Sequence, residues 1–153
     1  VNQDFRDLLR VFNEERVKYL VVGGYALIKH SEPRYTKDLD LWVSPDEENA
    51  GRVFQALIEY GAPVASMSPA DFMREGYFFT MGLAPNRIDI LFDLKGLTFD
   101  SAWQRRVCDL VGDIEICFLS RRDLIINKEA VGRKQDLADV EKLRIAEIRD
   151  RND

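Results

Sequence analysis

Two aspartates one residue apart, Asp38 and Asp40, stand in the apolar stretch DLDLWV. At strand spacing both side chains leave the same face of a sheet, with Cα atoms roughly 6–7 Å apart. Carboxylates that close repel each other, and the arrangement becomes favourable when a divalent cation sits between them. Oxygen-only donors of this kind suit magnesium, with manganese as an alternative. A third acid, Asp89, lies between Ile88 and Ile90 in RIDILFDL, where a carboxylate is costly unless something pairs with it. If the two strands lie side by side in register, Asp38, Asp40 and Asp89 converge on one patch. Such a patch holds one or two divalent ions, which bridge a triphosphate and lower the pKa of an attacking hydroxyl. Asp89 then serves as a metal ligand or as the general base beside that hydroxyl.

Gly23-Gly24 supplies what acids cannot. A turn without Cβ atoms lets backbone N–H groups approach a phosphate closely, and a helix starting behind it adds a favourable dipole. Lys29, Lys37 and the more distant Lys128 are candidates for further charge on the phosphates, with Lys37 and Lys128 taken as nucleotide-binding. Arg34 and Thr36 lead into the aspartate strand, where they either bond within the loop or orient Asp38 or the triphosphate. Tyr25 and Tyr35 are close enough in sequence to flank a base, whereas Trp42 and Trp103 read as core anchors. His30 is the only histidine. It reads as a helix-end residue, which leaves little material for a histidine metal site or a Ser-His-Asp triad.

These residues need a scaffold, and the apolar pattern describes one. Phe5, Leu8, Leu9 and Phe12 form the stripe of an amphipathic helix over about 4–15. Tyr19–Val22 is a short buried strand, the helix after Gly-Gly runs from Tyr25 to about His30, and a polar loop with Pro33 returns the chain to the strand Asp38–Val43. Ser44-Pro45-Asp46-Glu47 starts a helix, with Ser44 as N-cap, Pro45 at the first position and Glu47 closing a capping box. That helix is expected to bury Val53, Phe54, Leu57 and Ile58 and to end near Gly61. Ser68-Pro69-Ala70-Asp71 opens a short helical turn. Tyr77–Leu83 and Arg87–Leu94 form a hairpin around Ala84-Pro85-Asn86. Phe99–Arg106 reads as helix, Ile114–Phe118 as strand, and Ser120-Arg-Arg-Asp123 as the capping box of a helix that Gly132 interrupts. From Gln135 the spacing of Leu137, Val140, Leu143 or Arg144, and Ile148 predicts a last helix with a frayed RDRND end. The expectation is an α/β (α+β) fold with a mixed β-sheet flanked by helices. Residues 1–153 form one domain in this reading, with the core at about 17–94 and a C-terminal helical part at about 120–150.

The formal net charge of −5 argues against a protein that coats nucleic acid through its overall field. Three basic doublets, Arg105-Arg106, Arg121-Arg122 and Arg133-Lys134, leave room for a local basic groove. Cys108 and Cys117 lie in apolar surroundings without metal-ligand spacing and read as buried free thiols. No apolar run reaches the roughly 20 residues of a membrane span, and nothing resembles a signal peptide, so a cytoplasmic location with no membrane partner is expected.

Gly23-Gly24, thirteen residues, Asp38-Leu-Asp40-Leu, then Ile88-Asp89-Ile90 together resemble the signature of the nucleotidyltransferase superfamily with the DNA polymerase beta fold. The resemblance implies that Gly23 and Gly24 bind the nucleotide phosphates, that Asp38 and Asp40 bind two magnesium ions and that Asp89 completes the metal site. Within that superfamily, GGYALIKH and PRYTKDLDLWV are similar to small bacterial nucleotidyltransferases. One similar group is related to abortive-infection and toxin–antitoxin proteins, and another comprises antibiotic adenylyltransferases of the lincosamide and aminoglycoside kind. INKEAVGRKQDLADVEKL resembles the tail of the toxin-like group, which implies that Lys128, Lys134, Asp136 and Asp139 lie near the nucleotide. The implied substrates are an NTP and a hydroxyl acceptor on RNA, protein or a small molecule, with a cognate partner protein or an inactive nucleotide-binding module as further possibilities. Many relatives have Gly-Ser where this chain has Gly23-Gly24, so a serine hydroxyl contact to phosphate is missing.

Overall fold

The computed structural model describes residues 2–152. Its centre is a six-stranded mixed sheet of β1 (Tyr19–Val22), β2 (Asp38–Val43), β3 (Phe78–Met81), β4 (Arg87–Leu91), β5 (Val107–Val111) and β6 (Ile114–Phe118). The strands lie in the order β3-β4-β2-β1-β6-β5. β2 runs parallel to β4 and β1 parallel to β6, while the pairs β1–β2, β3–β4 and β5–β6 are antiparallel.

Alternation along the strands divides the apolar residues between two faces. On one face Tyr19, Val21, Leu39, Leu41, Val43, Ile88 and Ile90 pack with α1 (Gln3–Glu14), through Phe5, Leu8, Leu9 and Phe12, and with α3 (Glu47–Tyr60), through Ala50, Val53, Ala56 and Leu57. On the other, Leu20, Val22 and Trp42 meet α2 (Gly23–His30), α4 (Phe99–Gln104), α5 (Arg121–Val131) and α6 (Lys134–Arg151). Asp38 and Asp40 share the second face with Trp42. The C-terminal helices therefore cover the acid-bearing side.

Several local expectations shift. The N-cap of α3 is Asp46, whose carboxylate accepts from Asn49 N–H at 2.8 Å, while Ser44 Oγ donates to Asp46 at 2.6 Å. Ser44 thus holds the cap rather than being it, and Pro45 stays outside the helix. Ile58 turns outward at 47% exposure, and Phe54 is only half-buried. In α6 the stripe of Leu137 and Ile148 faces solvent; Asp136, Asp139, Val140, Leu143 and Ala146 form the buried face. Buried carboxylates broke the apolar periodicity there. The RDRND tail stays helical to Arg151, and its last residue lies outside the described residues.

The cysteines correct the sequence reading more sharply. Cys108 and Cys117 are directly opposed across β5 and β6 and form a disulfide. β5 is half-buried along most of its length and lacks the alternation of a strand, so the sequence does not reveal the cross-strand register. One member of each basic doublet is paired with an acid: Arg105 grips Asp123 with three hydrogen bonds of 2.9–3.2 Å, Arg121 meets Asp150 at 2.5 Å, and Arg133 meets Asp136 at 2.7 Å. Among the described residues no helix is long and apolar enough to cross a membrane.

Asp123 is fully buried at the start of α5, where Arg105 from the end of α4 is its cation. Replacing it by alanine leaves the guanidinium without its partner and removes a tie between the two helices. Asp123→Ala is expected to cost roughly 2 kcal/mol, a fall in Tm of about 4–8 °C in thermal unfolding. A change under about 1 °C would show that the pair contributes nothing.

Candidate active site

The register of two parallel strands brings the acids together. Asp40 stands directly opposite Asp89, and Asp38 opposite Arg87. All three carboxylates leave the same face, as side-by-side pairing requires. Asp89 is buried, at 8% exposure, while Asp38 and Asp40 are half-buried. The cost of sinking Asp89 is offset by Thr80 Oγ1, which donates at 2.8 Å from the opposed position on β3, and by Arg87 Nε, which donates at 3.0 Å. Both bonds fall on Oδ1, so Oδ2 receives neither. Among the described residues Asp40 has no such donor. Burial first, and then the charges of Asp89 and Asp38, push its carboxyl up to about 7. The patch is rich in hard oxygen donors and short of positive charge, a donor set that fits a divalent cation.

The sequence alone does not mark Thr80 or Arg87 as partners of the acids. Arg87 carried a signal, being two residues from Asp89 on the same strand face; Thr80 needed the hairpin register.

Antiparallel pairing of β1 with β2 sets Val22 opposite Asp40, which delivers the Gly-Gly turn to the acids. Gly23 has φ +65°, and a Cβ on it would lie 2.1 Å from Asp40 Oδ2. Only glycine fits there, for both reasons. α2 starts at Gly23 with Val22 as N-cap and no side-chain cap, so no side chain satisfies its first amides. A Cβ on Gly24 would meet Thr36 Oγ1 at 2.4 Å. The turn is thus packed between Asp40 and Thr36.

The flanking candidates fall in different places. Lys37 is exposed beside Asp38. Lys128 is held between two buried carboxylates, Asp139 at 2.9 Å and Asp136 at 3.6 Å, and Asp139 also takes Arg34 at 3.1 Å. That cluster joins α5 and α6 to the loop carrying Arg34 and Thr36. Lys29 pairs with Asp109 on β5. Tyr25 packs edge-on against Phe5 of α1, away from the acids, and Tyr35 is 74% exposed. His30 is buried at the end of α2 with Nε2 at 2.7 Å from the Leu119 carbonyl, as a helix-end residue.

A family profile for nucleotidyltransferases of unknown function (DUF6036) matches residues 3–152. The chain belongs to that family. Solved structures share the nucleotidyltransferase fold. The lincosamide antibiotic adenylyltransferase LnuA, bound to lincomycin, superposes with a TM-score of 0.55 at 13% identity, covering 94% of this chain and 96% of its own. A Thermotoga maritima protein assigned as a nucleotidyltransferase gives 0.57 at 17% identity, covering 92% and 88%. ANT(2")-Ia, in complex with adenylyl-2"-tobramycin, gives 0.54 at 16% identity, covering 93% and 84%. At such identities the likeness shows the fold alone. No curated protein matches this nucleotidyltransferase in sequence.

Two outcomes follow from the crowded patch. The Asp40 carboxyl is raised from 3.8 to about 7 on folding, so folding favours its protonated form. The associated destabilisation is absent at acid pH, grows as pH rises from 3.8, and is complete above about 7. Asp40→Asn should therefore raise Tm by at least about 2 °C at pH 8 in EDTA, with the gain shrinking toward pH 5. An equal Tm at pH 8 would contradict this account. Gly23→Ala combines backbone strain with a clash on Asp40, and is expected to lower Tm by several degrees, about 2–4 °C per kcal/mol lost; thermal unfolding at neutral pH checks it.

Proposed function

We propose that this nucleotidyltransferase moves a nucleoside monophosphate group from an NTP to a hydroxyl acceptor, using divalent cations held by Asp38, Asp40 and Asp89. The observation that carries the reading is the register of Asp40 against Asp89, with Gly23 pressed onto Asp40 at the start of α2. The whole chain acts as one catalytic domain in this reading, since α5 and α6 pack on the acid-bearing face. Magnesium, two ions for preference and manganese in its place, would neutralise triphosphate charge and ease ionisation of the acceptor hydroxyl. The chain's own groups do the rest. Gly23 and Gly24 present the free amides of α2 to the phosphates, and Lys37 adds charge from the loop. Lys128 adds positive potential behind it, in a cluster where it, Arg34 and Arg133 outnumber Asp136 and Asp139 by one charge. Asp89, with Oδ1 fixed by Thr80 and Arg87, is the group to accept the acceptor proton. The new bond joins acceptor oxygen to the α-phosphorus, and pyrophosphate departs as the bond to the β-phosphate oxygen breaks.

The acceptor is a hydroxyl of RNA, of protein, or of a small molecule, and the first two fit a toxin or defence enzyme with a cognate partner protein. One feature favours the small-molecule reading. Further along β2 from the acids, Trp42, Glu75, Asp93, Thr98, Phe99 and Asp100 line a cavity of about 260 Å³. Its charge suits a cationic, hydroxyl-bearing acceptor better than a polyphosphate chain. One member of each basic doublet, Arg105, Arg121 and Arg133, is instead bound to an acid, which weakens the case for a basic groove.

Each labelled NTP, incubated with magnesium and then with tRNA, cell protein or an aminoglycoside, shows where label goes. Transfer to an acceptor is expected from the wild type. Asp38→Asn, Asp40→Asn and Asp89→Asn should each lower it by about 10²–10³-fold, the loss of several kcal/mol of charge stabilisation. Label that persists in the Asp38→Asn, Asp40→Asn double variant would overturn the metal assignment. If no acceptor is labelled while NTP and magnesium raise Tm, the chain is a nucleotide-binding module.

A further inference from the structure

Gly24 is harder to explain than Gly23. It has no left-handed φ, and it sits in the first turn of α2, where glycine is poorer than alanine by about 1 kcal/mol. Backbone conformation does not demand it. What excludes a side chain is Thr36: its Oγ1 stands 2.4 Å, and its Cβ 3.0 Å, from the point where a Cβ on residue 24 would be. Thr36 thus brings a hydroxyl to the place from which a side chain of residue 24 would project.

Three further facts bear on that hydroxyl. Among the described residues no protein group hydrogen-bonds to it; Thr36 is half-buried, and its hydroxyl is not among the fully buried polar atoms without a partner, so it is open to solvent. It lies over the uncapped start of α2, next to the glycine that touches Asp40. The irregular loop that carries it is tied down two residues earlier, where Arg34 Nη1 donates to the buried Asp139 carboxylate at 3.1 Å, and Asp139 is held in turn by Lys128 and Gln135 at 2.9 Å each. Thr36 is thereby presented by a fixed segment. A side-chain hydroxyl on residue 24 and Thr36 in its present position are mutually exclusive.

We propose that Thr36 is a nucleotide-binding residue: its hydroxyl donates to an NTP phosphate at the start of α2, and residue 24 is glycine so that Thr36 can reach in. This rests on the nucleotidyl-transfer reading of the site and adds to it a specific donor from the loop before the aspartate strand.

The test is a hydroxyl swap, read by calorimetric binding of a non-hydrolysable NTP with magnesium and by KM and kcat for transfer. Thr36→Val, which keeps the shape and loses the hydroxyl, should weaken NTP binding by about tenfold or more, with most of the effect on KM. Thr36→Ser should bind within about threefold of wild type. Gly24→Ser alone should weaken binding, because its side chain meets Thr36. In the double variant Gly24→Ser, Thr36→Ala, the serine has room and replaces the lost hydroxyl, so affinity should return toward wild type. Thr36→Val binding as tightly as wild type, Gly24→Ser binding normally, or a double variant no tighter than Thr36→Ala would each overturn the proposal. If the wild type binds NTP and the aspartate variants lose transfer while Thr36→Val is unaffected, only the role of Thr36 fails. A wild type that binds no NTP sinks both readings.

Discussion

Three carboxylates leave one face of two parallel strands, and among the described residues the one cation that hydrogen-bonds to any of them is Arg87, on Asp89. Everything else near the site accommodates that concentration of negative charge. Two donors settle on one oxygen of Asp89, which makes its burial tolerable. Asp40 is left with burial and two like charges, and its carboxyl rises accordingly. A protein that only needed a stable sheet would place a Leu or Thr there. The sheet holds the acids because both hydrophobic faces fix its register: a slip of one residue between β2 and β4 would send Leu39 and Leu41 out of the α1–α3 core and the aspartates into it.

The same register fixes the glycine turn. β1 ends at Val22, opposite Asp40, so α2 must begin against the carboxylate, and the left-handed residue at its start can carry no Cβ. In the proposed site, phosphate cradle and metal patch would therefore be one construction. The likeness to adenylyltransferases with low identity is what such a construction allows, since β-pairing and a short turn survive change at most other positions.

Much of this could be read from the sequence because it is local or periodic. The spans of β1, β2 and α5, the short turn at Ser68 and the hairpin around Pro85 follow from runs a few residues long. The convergence of Asp89 on Asp38 and Asp40 needed only the supposition that two apolar strands lie side by side. What escaped depends on distant partners. Thr80 is ordinary until β3 pairs with β4. The cysteine pairing depends on β5, whose half-buried residues lack clean alternation. The buried face of α6 was hidden because Asp136 and Asp139 look like solvent residues until Lys128, Arg133 and Arg34 are set against them.

That last cluster gives the C-terminal helices a reason to belong to the site. Two buried carboxylates face three cations drawn from α5, the α5–α6 junction and the loop before β2, leaving one positive charge in excess. Buried ion pairs are poor sources of net stability, because desolvation offsets their attraction, but they are selective about geometry. A purely apolar contact would let the loop at residues 31–37 slide, as it contains Pro33 and no regular structure. An Arg34 that must find Asp139 cannot. The loop's position then fixes Thr36 over the start of α2 and the approach to Asp38, so helices far along the chain hold the edge of a site whose acids they do not supply.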